Sequence, residues 1–177
     1  MILENDRIIL RPTVIEDADL IVKWRSDPEI SKWVFSKPPT KEEHLEWFYE
    51  LKPNRLDYVI CLKDSRIGGF LSTCIQKEIP IGTVNYKNIN CSYVETGKIL
   101  GDRSQRGKGL AREAFTLWLK YGFEQLGFEC IYARTKIANK RNIKLNIQIG
   151  FVIEKVTDDD ILVMSIRKKD LNEKTYN

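Results

Sequence analysis

Gly107 and Gly109 lie in the run Arg106-Gly107-Lys108-Gly109-Leu110-Ala111. Just ahead of a helix, such a pair lets the backbone turn tightly with its N–H groups aimed into one small space, where the positive end of the helix dipole adds to them. The chemistry on offer is the holding of a pyrophosphate. The same letters also suit a plain helix-start loop with a lysine on top. They make neither a Walker loop, since no GK is followed by Ser or Thr at the needed spacing, nor a dinucleotide fingerprint, since GxGxxG is missing.

The elements that must position this run are readable on either side of it. Residues 93–100 alternate as a strand does, Gly101-Asp102 is a turn signal, and residues 111–123 repeat apolar side chains at helical spacing. Leu110, Ala114, Leu117, Trp118 and Tyr121 are its predicted buried face, with Gly122 and Gly127 bracketing its end. Roughly thirty residues further on come Asn139, Asn142 and Asn146 in a short helical stretch that closes on Gly150-Phe151.

The two stretches together resemble the signature motifs of the GCN5-related N-acetyltransferase (GNAT) superfamily. The first is Arg or Gln, two residues, Gly, one residue, then Gly or Ala; the second is Asn, a short helix, then Gly-Phe opening a strand. In weaker form the resemblance extends over residues 7–167. It implies an α/β (α+β) fold of one domain, residues 1–177. The sheet is expected to be mixed and largely antiparallel, with about seven strands, the fourth and fifth splayed apart, flanked by about four helices. It also implies acetyl-CoA as cofactor. The backbone of Lys98, Ile99 and Leu100 would pair with the amide arm of the donor, Arg106 to Ala111 would anchor its pyrophosphate, and Asn139 and Asn142 would meet the pantetheine side. Asn139 also suits a plain helix cap.

Acetyl transfer to an amine requires the carbonyl held, the amine deprotonated and the leaving thiolate protonated or stabilised. Glu95, at the start of the strand that would run under the thioester, is the candidate base. Relatives often carry a tyrosine acid four residues before the Gly-Phe pair; here that position is Asn146, which can donate a hydrogen bond but no proton. Tyr86 and Tyr93 are the candidate substitutes, and the residues do not decide between them.

The N-terminal half is read as the acceptor side. Trp24-Arg25-Ser26-Asp27-Pro28-Glu29, then Trp33 and Phe35, then a helix opened by the Thr40/Glu43 capping box and carrying His44 and Trp47, resemble the acceptor segment of acetyltransferases acting on nucleotide-linked amino sugars, the pseudaminic acid type, within the RimJ/RimL-like branch. Arg25, Trp33, Phe35 and His44 are the candidate substrate contacts; each aromatic also suits plain core packing. The alternatives are a ribosomal-protein N-terminal or polyamine acetyltransferase and, in another class, a non-catalytic acyl-CoA-binding module.

Composition narrows the partners. Net charge is +4, but 29 basic residues are interspersed with 25 acidic ones, so nucleic acid is not expected as a partner; the resemblance implies a small-molecule amine. There is no run of eighteen apolar residues and no leader pattern; a cytoplasmic protein without a membrane partner is expected, with room for a homodimer. Cys61, Cys74, Cys91 and Cys130 lie far apart beside a single histidine, so buried free thiols are expected and no metal site. Two stretches compete for the third strand of the family, one opening at Arg66 and one at Pro80. Residues 81–86 are assigned to it and residues 67–76 to an additional strand.

Overall fold

Alternating burial along β-branched and aromatic runs builds the sheet of this computed structural model, which describes residues 1–50, 53–63, 78–90 and 93–171. The strands are β1 (Leu3–Glu4), β2 (Ile8–Pro12), β3 (Leu56–Lys63), β4 (Glu78–Lys87), β5 (Tyr93–Leu100), β6 (Cys130–Lys136), β7 (Val152–Val156) and β8 (Ile161–Arg167). They form one sheet in the order β1-β2-β3-β4-β5-β6-β8-β7. β5 and β6 run parallel, joined through α4, and the other neighbours are antiparallel, β2 and β3 among them although α1, α2 and α3 lie between those two strands. The helices are α1 (Ala18–Ser26), α2 (Pro28–Ser31), α3 (Lys41–Tyr49), α4 (Leu110–Glu124) and α5 (Lys140–Ile149). No helix among the described residues is long and apolar enough to cross a membrane.

The strand assigned to residues 81–86 is the centre of β4, while the expected strand at residues 67–76 falls outside the described residues, as do Cys74 and Cys91. Cys61 and Cys130 are buried free thiols. The sequence reading missed β1, too short to show alternation, and α2, one turn that begins on Pro28 with the Asp27 side chain accepting from the Glu29 amide. The capping box of α3 is formed: the Glu43 amide donates to Thr40 Oγ1 at 3.1 Å and the Thr40 amide to Glu43 Oε2 at 2.7 Å.

One face of the sheet is covered by α4, whose Leu110, Ala114, Phe115, Trp118, Leu119, Gly122 and Phe123 are buried against Ile8, Leu10, Ile60, Val84 and Tyr86. Each such large apolar side chain contributes about 1.5–3 kcal/mol by leaving water. Gly122, expected to end this helix, lies inside it. A Cβ there would run into the Tyr86 ring and hydroxyl, so only glycine lets helix and strand approach so closely. On the other face Ile21, Trp24 and Ile30 pack together and against Ile99.

Two irregularities shape the centre of the sheet. β3 and β4 lose register between Ile60 and Cys61, a bulge opposite Ile81. The Ile81 carbonyl accepts the Gly101 and Asp102 amides at 2.8 and 3.0 Å, which turns the chain sharply as it leaves β5. Gly101 lies against Trp24, where a Cβ would fall inside the indole. The second irregularity is a parting of strands. β5 pairs with β6 from Tyr93 to Thr96 only, whereas its pairing with β4 continues to Leu100. The far half of β5 therefore has a partner on one side and an opening on the other.

Candidate active site

The loop that leaves β5 brings Arg106 to Ala111 to the start of α4. Gly107 and Gly109 adopt φ of +81° and +80°, the left-handed region that side chains avoid, and Gly109 is the N-cap. The amides of Leu110 and Ala111 have no carbonyl one turn earlier to pair with. A Cβ on Gly107 would meet nothing within 4 Å, so the cradle is open space. Arg7 of the segment leading into β2 braces it, donating to the Lys108 carbonyl at 3.2 Å and pairing with Glu113 in the first turn of α4.

Two adjoining cavities meet here. One, of about 690 Å³, lies along α4 and α5 and is lined by Arg7, Gly107, Lys108, Gly109, Leu110 and Lys144. The other, of about 810 Å³, opens where β5 and β6 part. Leu100, Ala111, Arg141 and Leu145 belong to the walls of both. Of the residues expected in the site, the second cavity gathers Glu95, Lys98, Ile99, Leu100, Arg106, Ala111, Asn139, Asn142, Asn146, Trp33 and Phe35. Asn139 caps α5 by accepting the Asn142 amide, and the Asn142 side chain donates to Thr135 Oγ1 at 3.1 Å.

Four expected residues lie elsewhere. Tyr86 is fully buried, stacked on Trp118 at 4.3 Å, and donates its hydroxyl to the Trp118 carbonyl at 2.7 Å; burial pushes its pKa well up. It is a core residue. Tyr86→Phe should cost about 1 kcal/mol of stability in urea unfolding and leave turnover unchanged. Tyr93 is exposed at the outer end of β5, with its ring on Tyr132 at 5.9 Å, and lines neither cavity. Arg25 donates to Ser36 Oγ at 2.7 Å and so braces the loop behind Phe35 without lining the cavity. His44 is buried and stacked on Trp47 at 5.3 Å, with burial and then the charge of Arg25 lowering its pKa. Helical spacing placed it on α3 correctly, but the apolar face of that helix turns it inward.

Glu95 lies in the cavity with a fully engaged carboxylate. Oε1 accepts from Arg134 at 2.8 Å and from Lys87 at 3.0 Å, and Oε2 from Asn88 at 3.2 Å. Burial works to raise its pKa, but the hydrogen bonds from Arg134 and Lys87 outweigh it and hold the carboxyl below the ordinary range. It is ionised in the neutral range, and the same hydrogen bonds that hold it so weaken it as a base.

The residue that sequence reasoning undervalued is Lys98, expected to offer only its backbone. Its Nζ donates to Asn146 Oδ1 at 2.6 Å and lies 3.8 Å from the Phe115 ring centroid. Asn146 is fully buried, with its amide nitrogen 3.7 Å from Met164 Sδ. Burial lowers the Lys98 pKa to about 7. The signal was present in the period of two: Val94 and Thr96, in phase with Lys98, are buried, so position 98 had to point inward too. Arg7 gave no such signal, because nothing local ties it to a loop a hundred residues away.

A glycine cradle continuous with a cleft between parted strands suits a phosphate-bearing acyl donor laid along strand backbone, and so defines a transferase. Residues 7–152 match the family described as Acetyltransferase (GNAT) domain, and the chain belongs to that family. It is an N-acetyltransferase whose donor is acetyl-CoA. The chain is 33% identical over 150 residues to an uncharacterized protein of Methanocaldococcus jannaschii, covering 84% of this chain but spanning only 28% of that protein's length. It is 26% identical to Acetyltransferase PseH of Campylobacter jejuni over 78% of each chain. Among solved structures, a domain from M. jannaschii superposes with a TM-score of 0.78 at 28% identity, over 92% of this chain and 99% of that one. Spermidine N-acetyltransferase from Vibrio cholerae, in complex with CoA and spermine, does so with a TM-score of 0.78 at 22% identity, over 94% and 98%.

Proposed function

We propose that the acceptor is the amino group of a nucleotide-linked amino sugar of the kind used in surface glycans. The observation that carries this reading is the charge of the cleft. Lys32, Lys87, Lys98, Arg106, Arg134, Lys140 and Arg141 line it against Glu29 and Glu95 as the acids among the described residues. Such a field attracts phosphate and repels a polycation. Trp33 under Lys32 and Phe35 under Arg134, with cation-to-ring distances of 5.3 and 5.2 Å, add flat apolar faces beside those charges. A sugar nucleotide has both counterparts, and the PseH likeness agrees with it.

Acetyl-CoA brings the activated acyl group as a thioester. In this reading Gly107 to Ala111 hold the pyrophosphate through backbone amides, and Gly97 to Leu100 offer the backbone that β6 has left unpaired. Glu95 keeps Lys87 and Arg134 in place at the acceptor side. Glu95→Gln should slow transfer by about a hundredfold through misplacement of the acceptor side, at unchanged affinity for acetyl-CoA and with no shift in the pH midpoint. A kinetically silent Glu95→Gln would remove this carboxylate from the chemistry.

The acceptor itself is tested with acetyl-CoA and a panel of a uridine-diphosphate amino sugar, spermidine and a peptide amine, reading thiol release. The nucleotide sugar should give the highest kcat/KM, with free uridine diphosphate as a competitive inhibitor and both effects weakening at high salt. Preference for spermidine would overturn the assignment.

A further inference from the structure

A thiolate leaving an amine acetylation has to take up a proton, and the cleft has few groups that can supply one. Among the described residues lining it there is no tyrosine, histidine or cysteine. Thr96 donates its hydroxyl to the Asn85 carbonyl, and Thr135, which accepts from Asn142, and Ser36, which accepts from Arg25, are alcohols far too weakly acidic to hand a proton to a thiolate. Lys98 is different. It stands on the half of β5 that β6 has left, where donor and acceptor would meet, and its Nζ is fixed from two sides by Asn146 of α5 and Phe115 of α4.

We infer that Lys98 protonates the departing sulfur and that Asn146 is the residue that positions its ammonium. This rests on the acetyl-transfer reading of the site. The C–N bond forms as the C–S bond breaks, Lys98 Nζ gives one proton to the sulfur, and the neutral amine so formed takes the proton shed by the newly acylated nitrogen. Protons balance without any further reactant. The neighbours suit a lysine that cycles in this way. The acid on its own strand, Glu95, is engaged by Lys87 of β4 and Arg134 of β6; α5 adds only the cations Lys140 and Arg141 to the same cavity, and α4 presents an aromatic ring. Among the described residues no carboxylate pins Lys98 in its charged form, while the Asn146 oxygen and the ring face keep the charged form within reach. Burial brings its pKa to about 7, near the pH at which a proton donor and acceptor works best in neutral solution.

Two measurements test this. In ligand-free protein carrying 13C-labelled lysine, the Lys98 signal, assigned through Lys98→Met, should titrate far below 10.5 and move lower still in Asn146→Leu; a normal lysine midpoint overturns the inference. In kinetics, Lys98→Met should lose about a hundredfold in kcat with acetyl-CoA while its calorimetric affinity for coenzyme A stays near wild type. With the acetyl ester of an acidic aryl thiol, whose thiolate departs without a proton, most of that loss should vanish. An equal loss with both thioesters, or none with acetyl-CoA, overturns the role of Lys98 alone. A wild-type protein that releases no thiol with any amine overturns the acetyl-transfer reading beneath it.

Discussion

Lys98→Met should flatten the stability of the protein between pH 7 and 9 and leave it little changed at pH 7. The folded pKa of Lys98, about 7, lies below its ordinary value of 10.5. A depressed group of this kind contributes stability that is fully present above the unfolded value and is lost as pH falls through the folded one. Wild-type stability should therefore climb from pH 7 upward, because the unfolded chain still binds a proton that the folded chain has released. Two pH units correspond to at most about 2.7 kcal/mol. Water in the open cleft reaches part of the side chain, which is half-buried, so about 1–2 kcal/mol is the expected rise. Above pH 9 the sign turns. Cys61 and Tyr58 are both pushed up to about 12 by burial, so the unfolded chain sheds their protons first and the fold loses stability. His44 is shifted down and titrates below the window. In the Met variant the climb disappears. At pH 7 the relief of a buried charge is offset by an Asn146 carbonyl left without its donor, a cost of about 1–3 kcal/mol, so the two effects come near to cancelling. Urea unfolding at pH 7 and 9 measures all of this; a wild-type curve flat across the window would show that Lys98 is solvated like a surface lysine.

The larger functional loss is expected from Gly109→Glu. At a φ of +80° any other residue is strained by about 1–2 kcal/mol. The carboxylate regains part of that from the dipole of α4, for which an N-terminal anion is favourable by about 0.3–1 kcal/mol. Space is no obstacle, since the nearest atom a Cβ would meet is Arg7 Nη2 at 3.7 Å. The fold should therefore survive with its melting temperature only a few degrees lower. Binding should not survive, because the side chain fills the cradle and places a like charge where the pyrophosphate belongs. Calorimetry should show coenzyme A affinity down by more than about a hundredfold. An unchanged affinity in a folded variant would move the donor away from this loop.

Elements whose periodicity is long enough to repeat were legible in the sequence: β5 and α4 agree with their predicted spans to within a residue, and the capping box located α3. What was illegible is contact across the sheet. Local pattern could say that Tyr86 alternates inward, but not that α4 passes over it closely enough for its hydroxyl to reach the Trp118 carbonyl; hence a core tyrosine was read as a proton donor. Glu95 was found by position, yet its chemistry is decided by Lys87 and Arg134, which come from the two flanking strands. Lys98 shows the opposite failing, since its phase was visible and only the habit of treating lysine as solvated hid it.

The parting of β5 from β6 leaves the fold with a strand edge inside its own body, where other proteins keep theirs at the rim. A ligand that pairs with such an edge reads peptide groups and takes no notice of side chains, so what stands at position 98 is answerable to its neighbours Asn146 and Phe115 and not to such a ligand's grip. Proline, which has no N–H to offer, is the one residue such an edge refuses. With the donor laid along that edge as proposed, the grip and the chemistry at position 98 are separable: a side chain there can be exchanged while the peptide groups that would hold the donor stay as they are.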